Sequence, residues 1–235
     1  MSKMVEYAIQ LDWMAQRFLN SFAHTSLSFD KLLLSLVLMY STRGGIFVAA
    51  LWWIWFSKWS PRSGAADNRM LFVRALAGSL AAIAVGRILQ VVMPERLRPM
   101  HDPQLAFQLP YGVDPAALQG WSSFPSDHAV LFFALSTALF LWSRTVGVLA
   151  FIWASLIVCL PRIYMGLHFP SDIIVGAVIG VAIMLAAQRI PFPSGISETV
   201  RRYESEYSAA FYTLAFFVTY QIAMLFYDVR QFGWR

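Results

Sequence analysis

Charge is what this chain has least of. Of its 235 residues only 13% are Asp, Glu, Lys or Arg, while 58% are hydrophobic. A soluble domain of this length carries about a quarter charged residues. The polar surface is therefore too small to cover a water-soluble globule, and the composition reads as an integral membrane protein. Cysteine is almost missing: the single Cys159 lies in an apolar run, which excludes an internal disulfide and leaves a metal–thiolate site without partners. No polar block is long enough to fold separately and no internal repeat is present, so the chain is read as one membrane domain. The first twenty residues carry Glu6 and Asp12 and lack a continuous apolar core, unlike a secretory signal. The net charge of +5 does not argue for nucleic acid, because Lys and Arg fall mainly in short links between apolar segments, where membrane topology accounts for them.

What is abundant is apolar sequence in membrane-length runs. A bilayer core needs about twenty apolar residues as helix. Segments at about 70–93, 127–142, 146–161, 171–189 and 207–227 meet or approach this, and 44–59 adds a short, Trp-rich sixth. The expected fold is all-α, a polytopic bundle of about six transmembrane helices preceded by an amphipathic helix. In that helix Ala8, Leu11, Met14, Ala15, Phe18, Leu19 and Phe22 recur at helical spacing with Glu6, Asp12, Gln16 and Arg17 between them. Residues 1–43 form this N-terminal interfacial region and 44–235 the bundle. Leu32 to Tyr40 reads either as a second half-helix or as an extension of the first span past Gly44-Gly45.

The basic links set the orientation. Lys58, Arg62 and Arg69 fill the first link, Arg144 the turn at 143–145, and Arg189, Arg201 and Arg202 the link before the last span. If the spans alternate, these share one face, which the positive-inside rule makes cytoplasmic. The long link 94–126 and the short link 162–170 then share the opposite face, periplasmic or extracellular. Five prolines from Pro94 to Pro115 exclude a continuous helix through the long link, which is read as a rim or lid.

Two polar islands land on that face, Phe124-Pro125-Ser126-Asp127-His128 and the stretch from Arg162 to Asp172. Ionisable residues beside apolar spans are expensive to keep and point to function. Pro125-Ser126-Asp127 before an apolar run is a helix start, and a helix N-terminus offers free N–H groups to a phosphate. His128 would sit in the first turn, facing a bound group or facing interface water. If one helix includes both His168 and Asp172, four apart, they share a face, and the carboxylate can hold one imidazole nitrogen while the other points outward. Asp172 equally suits capping of its helix. Arg98-Pro99, preceded by Arg96, adds guanidinium groups suited to phosphate oxygens. For Arg96 the favoured reading is snorkelling toward lipid headgroups.

Taken together, Arg98-Pro99, Pro125-Ser126-Asp127-His128 and Arg162-x5-His168-x3-Asp172 resemble, in order and spacing, the three signature motifs of the type 2 phosphatidic acid phosphatase superfamily. The resemblance covers a catalytic core at about 70–189, and the Ser-Asp-His form is similar to the bacterial undecaprenyl-diphosphate phosphatase branch. It implies His168 as the nucleophile that forms a phosphohistidine, Asp172 as its orienting partner, and His128 as general acid. It implies Arg98, Ser126 and Arg162 as phosphate-binding residues; Asp127 is a further candidate, and Arg87, an intramembrane arginine, either reaches the phosphate or is buried in the bundle. It also implies metal-free chemistry with no cofactor, in keeping with the lack of a carboxylate cluster. Two positions depart from the pattern: Val91 stands where the family usually has a Lys, with Arg87 the nearest basic residue, and Pro161 stands where it commonly has Ser.

The expected function is hydrolysis of a lipid phosphate on the outer face of the cytoplasmic membrane, with a polyprenyl diphosphate as first choice. Phosphatidic acid, phosphatidylglycerol phosphate and lipid A phosphates are the alternatives. A phosphotransferase would use the same intermediate with a different acceptor, and a non-enzymatic membrane scaffold would not need both histidines. The last span is expected to serve packing, and oligomeric state has no signature in the sequence.

Overall fold

A computed structural model describes residues 3–58, 65–191 and 195–227, and every regular element among them is helical. Arg62, and Asp228 to Arg230 at the chain's end, lie outside the described residues. In chain order the helices are α1 (Lys3–Asn20), α2 (Leu27–Leu38), α3 (Ile46–Phe56), α4 (Ala65–Val92) and α5 (Asp127–Trp142). They continue with α6 (Arg144–Trp153), α7 (Leu160–Tyr164), α8 (Pro170–Arg189), α9 (Ile196–Glu206) and α10 (Ser208–Ala223).

Among the described residues, three continuous helical rods are long and apolar enough to cross a membrane: Asn68–Val92, Arg144–Tyr164 and Pro170–Arg189. The second joins α6 to α7 through a π-helical stretch, Ala154–Cys159. Pro161 follows it; a proline ring crowds the carbonyl four residues back, and the widened turn absorbs that clash. The expected span at 44–59 is only the second arm of a bent pair. α2 and the stretch Ser41–Phe56 meet at 61° and together pass as one crossing. The break contains Gly44-Gly45 and a second π-helical turn, Ser41–Gly45. The two readings left open by the sequence thus resolve into half-helices joined by an elbow. At the far end the apolar run also divides differently: α10 is a shorter apolar helix, and the link before it folds into an amphipathic helix, α9, that the sequence reading had left as a connection.

α5 is the centre. Twelve of its sixteen residues are buried, and its main neighbour is α8, then α6 and α4. At 1.5 Å per residue α5 is about 24 Å long, shorter than a bilayer core; enclosed by protein, it need not match the lipid. Gly176 and Gly180 explain how close α8 lies. A Cβ on Gly176 would come within 2.8 Å of the Ser126 carbonyl oxygen, and one on Gly180 would strike the backbone of Val130. Small residues four apart let helix backbones touch, the device by which apolar helices associate without a hydrophobic drive. Ser126 N–H donates to the Asp172 carbonyl at 3.2 Å, so α5 and α8 start side by side.

The other ends of the rods meet away from that junction. Asn68 near the start of α4 accepts from the Trp142 indole at 3.1 Å, Arg74 donates to the Gln188 carbonyl, and Arg69 pairs with Glu204 at 2.7 Å. The described basic residues of the cytoplasmic reading, among them Arg69, Arg144 and Arg189, therefore sit at the end opposite the polar islands.

α1 is amphipathic in the sense opposite to a soluble protein. Asp12 and Gln16 are buried, while Tyr7, Leu11, Met14 and Phe18 face outward. Gln16 donates to the Ile163 carbonyl at 2.7 Å. With lipid as solvent, polar groups turn inward to find partners and the apolar face stays outside.

Candidate active site

The two islands and the long link close around one cavity of about 930 Å³. Arg87, Arg98, Asp127, His128, Arg162 and His168 all line it, as does Arg43 from the α2–α3 elbow. Ser126 caps α5, its hydroxyl oxygen 3.4 Å from the Ala129 N–H. This aims the first turn of α5, with Asp127 and His128, into the cavity.

His168 is fixed by a group that the sequence did not single out. Its Nδ1 lies 2.8 Å from the Ser123 carbonyl oxygen. A carbonyl only accepts, so Nδ1 carries the proton and, in the neutral ring, Nε2 holds the lone pair. Burial pulls the His168 pKa down from the ordinary 6.5, and Asp172 opposes this by raising it. The buried ring is thus neutral at neutral pH with its Nε2 lone pair open, and no described residue donates a hydrogen bond to Nε2. Asp172 stands farther off, its Oδ2 at 3.8 Å from Nδ1. That oxygen instead accepts from the Phe169 N–H at 2.8 Å, tying down the start of α8. Asp172 therefore acts on His168 through its field and through the turn, with Ser123 as the direct orienting partner.

His128 is held from both sides. Nδ1 lies 2.8 Å from Asp127 Oδ1, and Arg43 Nη1 is 3.4 Å from Nε2. A guanidinium only donates, so in this arrangement Nε2 accepts and His128 is neutral, ready to take a proton.

The arginines divide by role. Arg98 is buried, donates to the Leu167 carbonyl at 2.6 Å and the Ser122 carbonyl at 3.1 Å, and has its Nε without an acceptor among the described residues. Burial lowers its pKa, while Asp127 and Asp172 raise it. Arg162, buried, donates to the Val158 carbonyl at 2.6 Å. Arg87 donates to Gln90 Oε1 at 2.6 Å and stacks 4.1 Å over the Trp121 ring. Val91, where the family pattern has Lys, is exposed on the outside of α4, so the basic group that reaches the cavity from this helix is Arg87.

Arg96 overturns its sequence reading. It does not snorkel: it bridges Asp172 Oδ1 at 2.5 Å and Asp12 Oδ2 at 2.7 Å, and lies 4.3 Å over the Phe169 ring. Ser171 completes the network, its hydroxyl donating to Asp12 at 2.5 Å. Asp12, read as part of a solvated helix face, thus belongs to the support of the site.

The long link serves as the rim. Met100 N–H donates to the Gly166 carbonyl at 3.0 Å and Ser123 N–H to the Arg96 carbonyl at 2.9 Å, while residues around Gly112 to Trp121 wall the cavity. Asp30 of α2 pins this rim by accepting from Tyr164 Oη at 2.5 Å and Tyr111 N–H at 2.9 Å.

Ligand atoms of Asp127, His128 and His168 fall within 4.8 Å of one another, a spacing that a metal ion can bridge. Four guanidinium groups face the same cavity, so its field favours an anion over a cation. Two imidazoles, one a lone-pair nucleophile and the other a proton acceptor, beside such a cluster suit transfer of a phosphoryl group.

Comparison with known proteins agrees. Residues 70–195, more than half the chain, match the family model described as PAP2 superfamily. Over 60 residues the chain is 42% identical to the bacitracin transport permease protein BcrC of Bacillus licheniformis, covering 26% of this chain and 29% of that one. Over 68 residues it is 32% identical to the putative undecaprenyl-diphosphatase YbjG of Escherichia coli strain K12, covering 29% and 34%. These matches span about a third of the length of the curated relatives. Among solved structures, LpxE of Aquifex aeolicus shares the fold, with a TM-score of 0.52 at 21% identity over 75% of this chain and 94% of that one.

Proposed function

Because the chain belongs to the PAP2 superfamily, we propose that it is a membrane lipid phosphatase acting through a phosphohistidine, with a polyprenyl diphosphate as substrate. The observation that carries this reading is His168: Nδ1 is held by the Ser123 carbonyl, and the ring stands in a cavity with Arg98, Arg162 and His128. The relative named as an undecaprenyl-diphosphatase supports the choice of substrate.

In the proposed reaction Arg98, Arg162 and the start of α5 at Ser126 hold the phosphate and neutralise charge that builds in the transition state. His168 Nε2 attacks the terminal phosphorus, and the bond to the leaving oxygen breaks. Asp172 supports His168 as described. The leaving phosphate of a diphosphate departs without a proton, and the neutral His128 takes one through Nε2 as water attacks the phosphohistidine, then releases it to solvent. Only a ring already protonated at Nε2 gives a proton to an alkoxide leaving group. The P–N bond breaks with its electron pair returning to His168 Nε2, and inorganic phosphate leaves. No metal takes part.

Six crossings fit the bundle if α5 and α10 are counted with the three rods and the bent α2–α3 pair. The membrane is the cytoplasmic one, and the basic end of the bundle faces the cytoplasm, so the cavity opens on the periplasmic or extracellular side. The test is a phosphate-release screen over polyprenyl diphosphates, phosphatidic acid and phosphatidylglycerol phosphate with chelator present. Release from the diphosphate under chelator is expected. Chelator-sensitive release would overturn the metal-free mechanism, and a phosphorylated acceptor in place of free phosphate would make the protein a phosphotransferase.

A further inference from the structure

Arg43 lies outside the segment that matches the family, at the elbow of a helix pair whose Asp30 holds the rim. It is nonetheless buried and lines the cavity. An intramembrane arginine is costly and is kept where it has a partner or a task. Its position is built. The π-helical turn Ser41–Gly45 widens the helix at that point, a distortion frequent at functional sites. Gly44 lets the turn pack directly on the α10 backbone, where a Cβ would strike Ala223. The Trp153 indole donates to the Thr42 carbonyl at 2.8 Å and fixes the turn from the other side. The guanidinium then stacks 4.2 Å over the Tyr40 ring, donates to the Val37 carbonyl at 2.9 Å and approaches His128 Nε2 at 3.4 Å.

This places Arg43 where two walls meet. Val37, Leu38 and Tyr40 beside it make the apolar wall, with Leu34, Met224 and Tyr227. Arg98, Arg162 and His168 make the polar one. A phosphorylated lipid whose terminal phosphorus meets His168 and whose tail lies on the apolar wall has its leaving group beside Arg43 and His128. The character of that leaving group follows from the contact to His128. By donating to Nε2, Arg43 disfavours the protonated ring, which is what an alkoxide leaving group requires. A leaving phosphate needs no proton to depart and is better served by a fixed cation. The bridging P–O bond breaks with its electron pair on an oxygen of the lipid monophosphate, and a guanidinium there meets the charge that develops.

We propose that Arg43 is a specificity-determining residue that binds the lipid-proximal phosphate of a diphosphate substrate and stabilises it as the leaving group. This rests on the phosphatase reading above and goes beyond it in assigning preference for diphosphate over monophosphate to a residue outside the shared core.

The experiment compares farnesyl diphosphate and phosphatidic acid as substrates for purified wild-type, Arg43→Lys and Arg43→Gln protein, with kcat and KM measured separately. Arg43→Gln is expected to lower kcat/KM for the diphosphate by roughly 10²-fold, mostly in kcat, because a charge-assisted contact to a developing anion is lost. Turnover of phosphatidic acid is expected to fall far less than that of the diphosphate, since the lost cation is offset by a His128 freed to hold a proton. Arg43→Lys should restore part of the diphosphate activity. Inhibition by inorganic pyrophosphate should weaken in Arg43→Gln while inhibition by inorganic phosphate stays. Equal losses on both substrates, or an unchanged ratio between them, would overturn the assignment, because a purely structural arginine moves both together. Wild-type protein that releases no phosphate from either lipid would instead sink the phosphatase reading itself.

Discussion

The two polar islands look alike in sequence, each a Pro-Ser-Asp run with a histidine beside it, yet the structure holds the two rings differently. Both rings present a protonated Nδ1 inward. At His168 the inward partner is the Ser123 carbonyl, and no described residue donates to the outward nitrogen. At His128 the inward partner is a carboxylate, and the outward nitrogen already accepts from Arg43. The lesson is that the neighbours, more than the ring, assign the work. A neutral acceptor with an open Nε2 makes a nucleophile, whereas a carboxylate on one side and a cation on the other makes a group tuned for passing protons.

The widest test of this contrast is His168→Ala, which is expected to reduce phosphate release by roughly 10³-fold or more and to abolish trapping of labelled phosphate on the protein. Wild-type turnover by purified variant protein would break the assignment. Next in size is the support behind the second island. Arg96→Ala would leave the buried carboxylates of Asp12 and Asp172 facing each other, at a cost of about 3–5 kcal/mol, read as a lower thermal midpoint in detergent. An equal loss of stability from Asp127→Asn would erase the contrast. That substitution is instead expected to spare stability and to cut kcat by roughly 10²-fold by releasing the proton on His128 Nδ1.

The subtlest prediction concerns pH. Burial keeps the His168 pKa below 6.5, so the neutral, nucleophilic ring persists at and above pH 6.5, and activity falls only as pH drops through that lowered value. Asp172 raises this pKa; Asp172→Asn should therefore displace the acid limb of kcat/KM to still lower pH. A displacement to higher pH would show that Asp172 does not act on His168 by its field.

The helical class, the long apolar helices within 70–93, 146–161 and 171–189, and the presence of Arg98, His128, Arg162 and His168 at one cavity were legible because their signals are local: apolar runs, helix-start residues and charged groups at span mouths. The elbow at 39–45 was half legible, since Gly44-Gly45 marked a break but not its angle. Ser123 was invisible, because a backbone carbonyl has no residue signature. Arg96 and Asp12 misled because their partners lie far away in sequence, and an arginine near a span end looks the same whether it reaches lipid or a buried carboxylate. Arg43 did carry a signal, a lone cation at the edge of an apolar run, but only the fold shows where it points.

The contact of Gly176 and Gly180 with the α5 backbone has a further consequence. His128 opens α5 and His168 stands two residues before α8, so a contact of main chain on main chain between these helices sets the spacing of the two rings, and a bulkier residue at either glycine would be felt at both histidines.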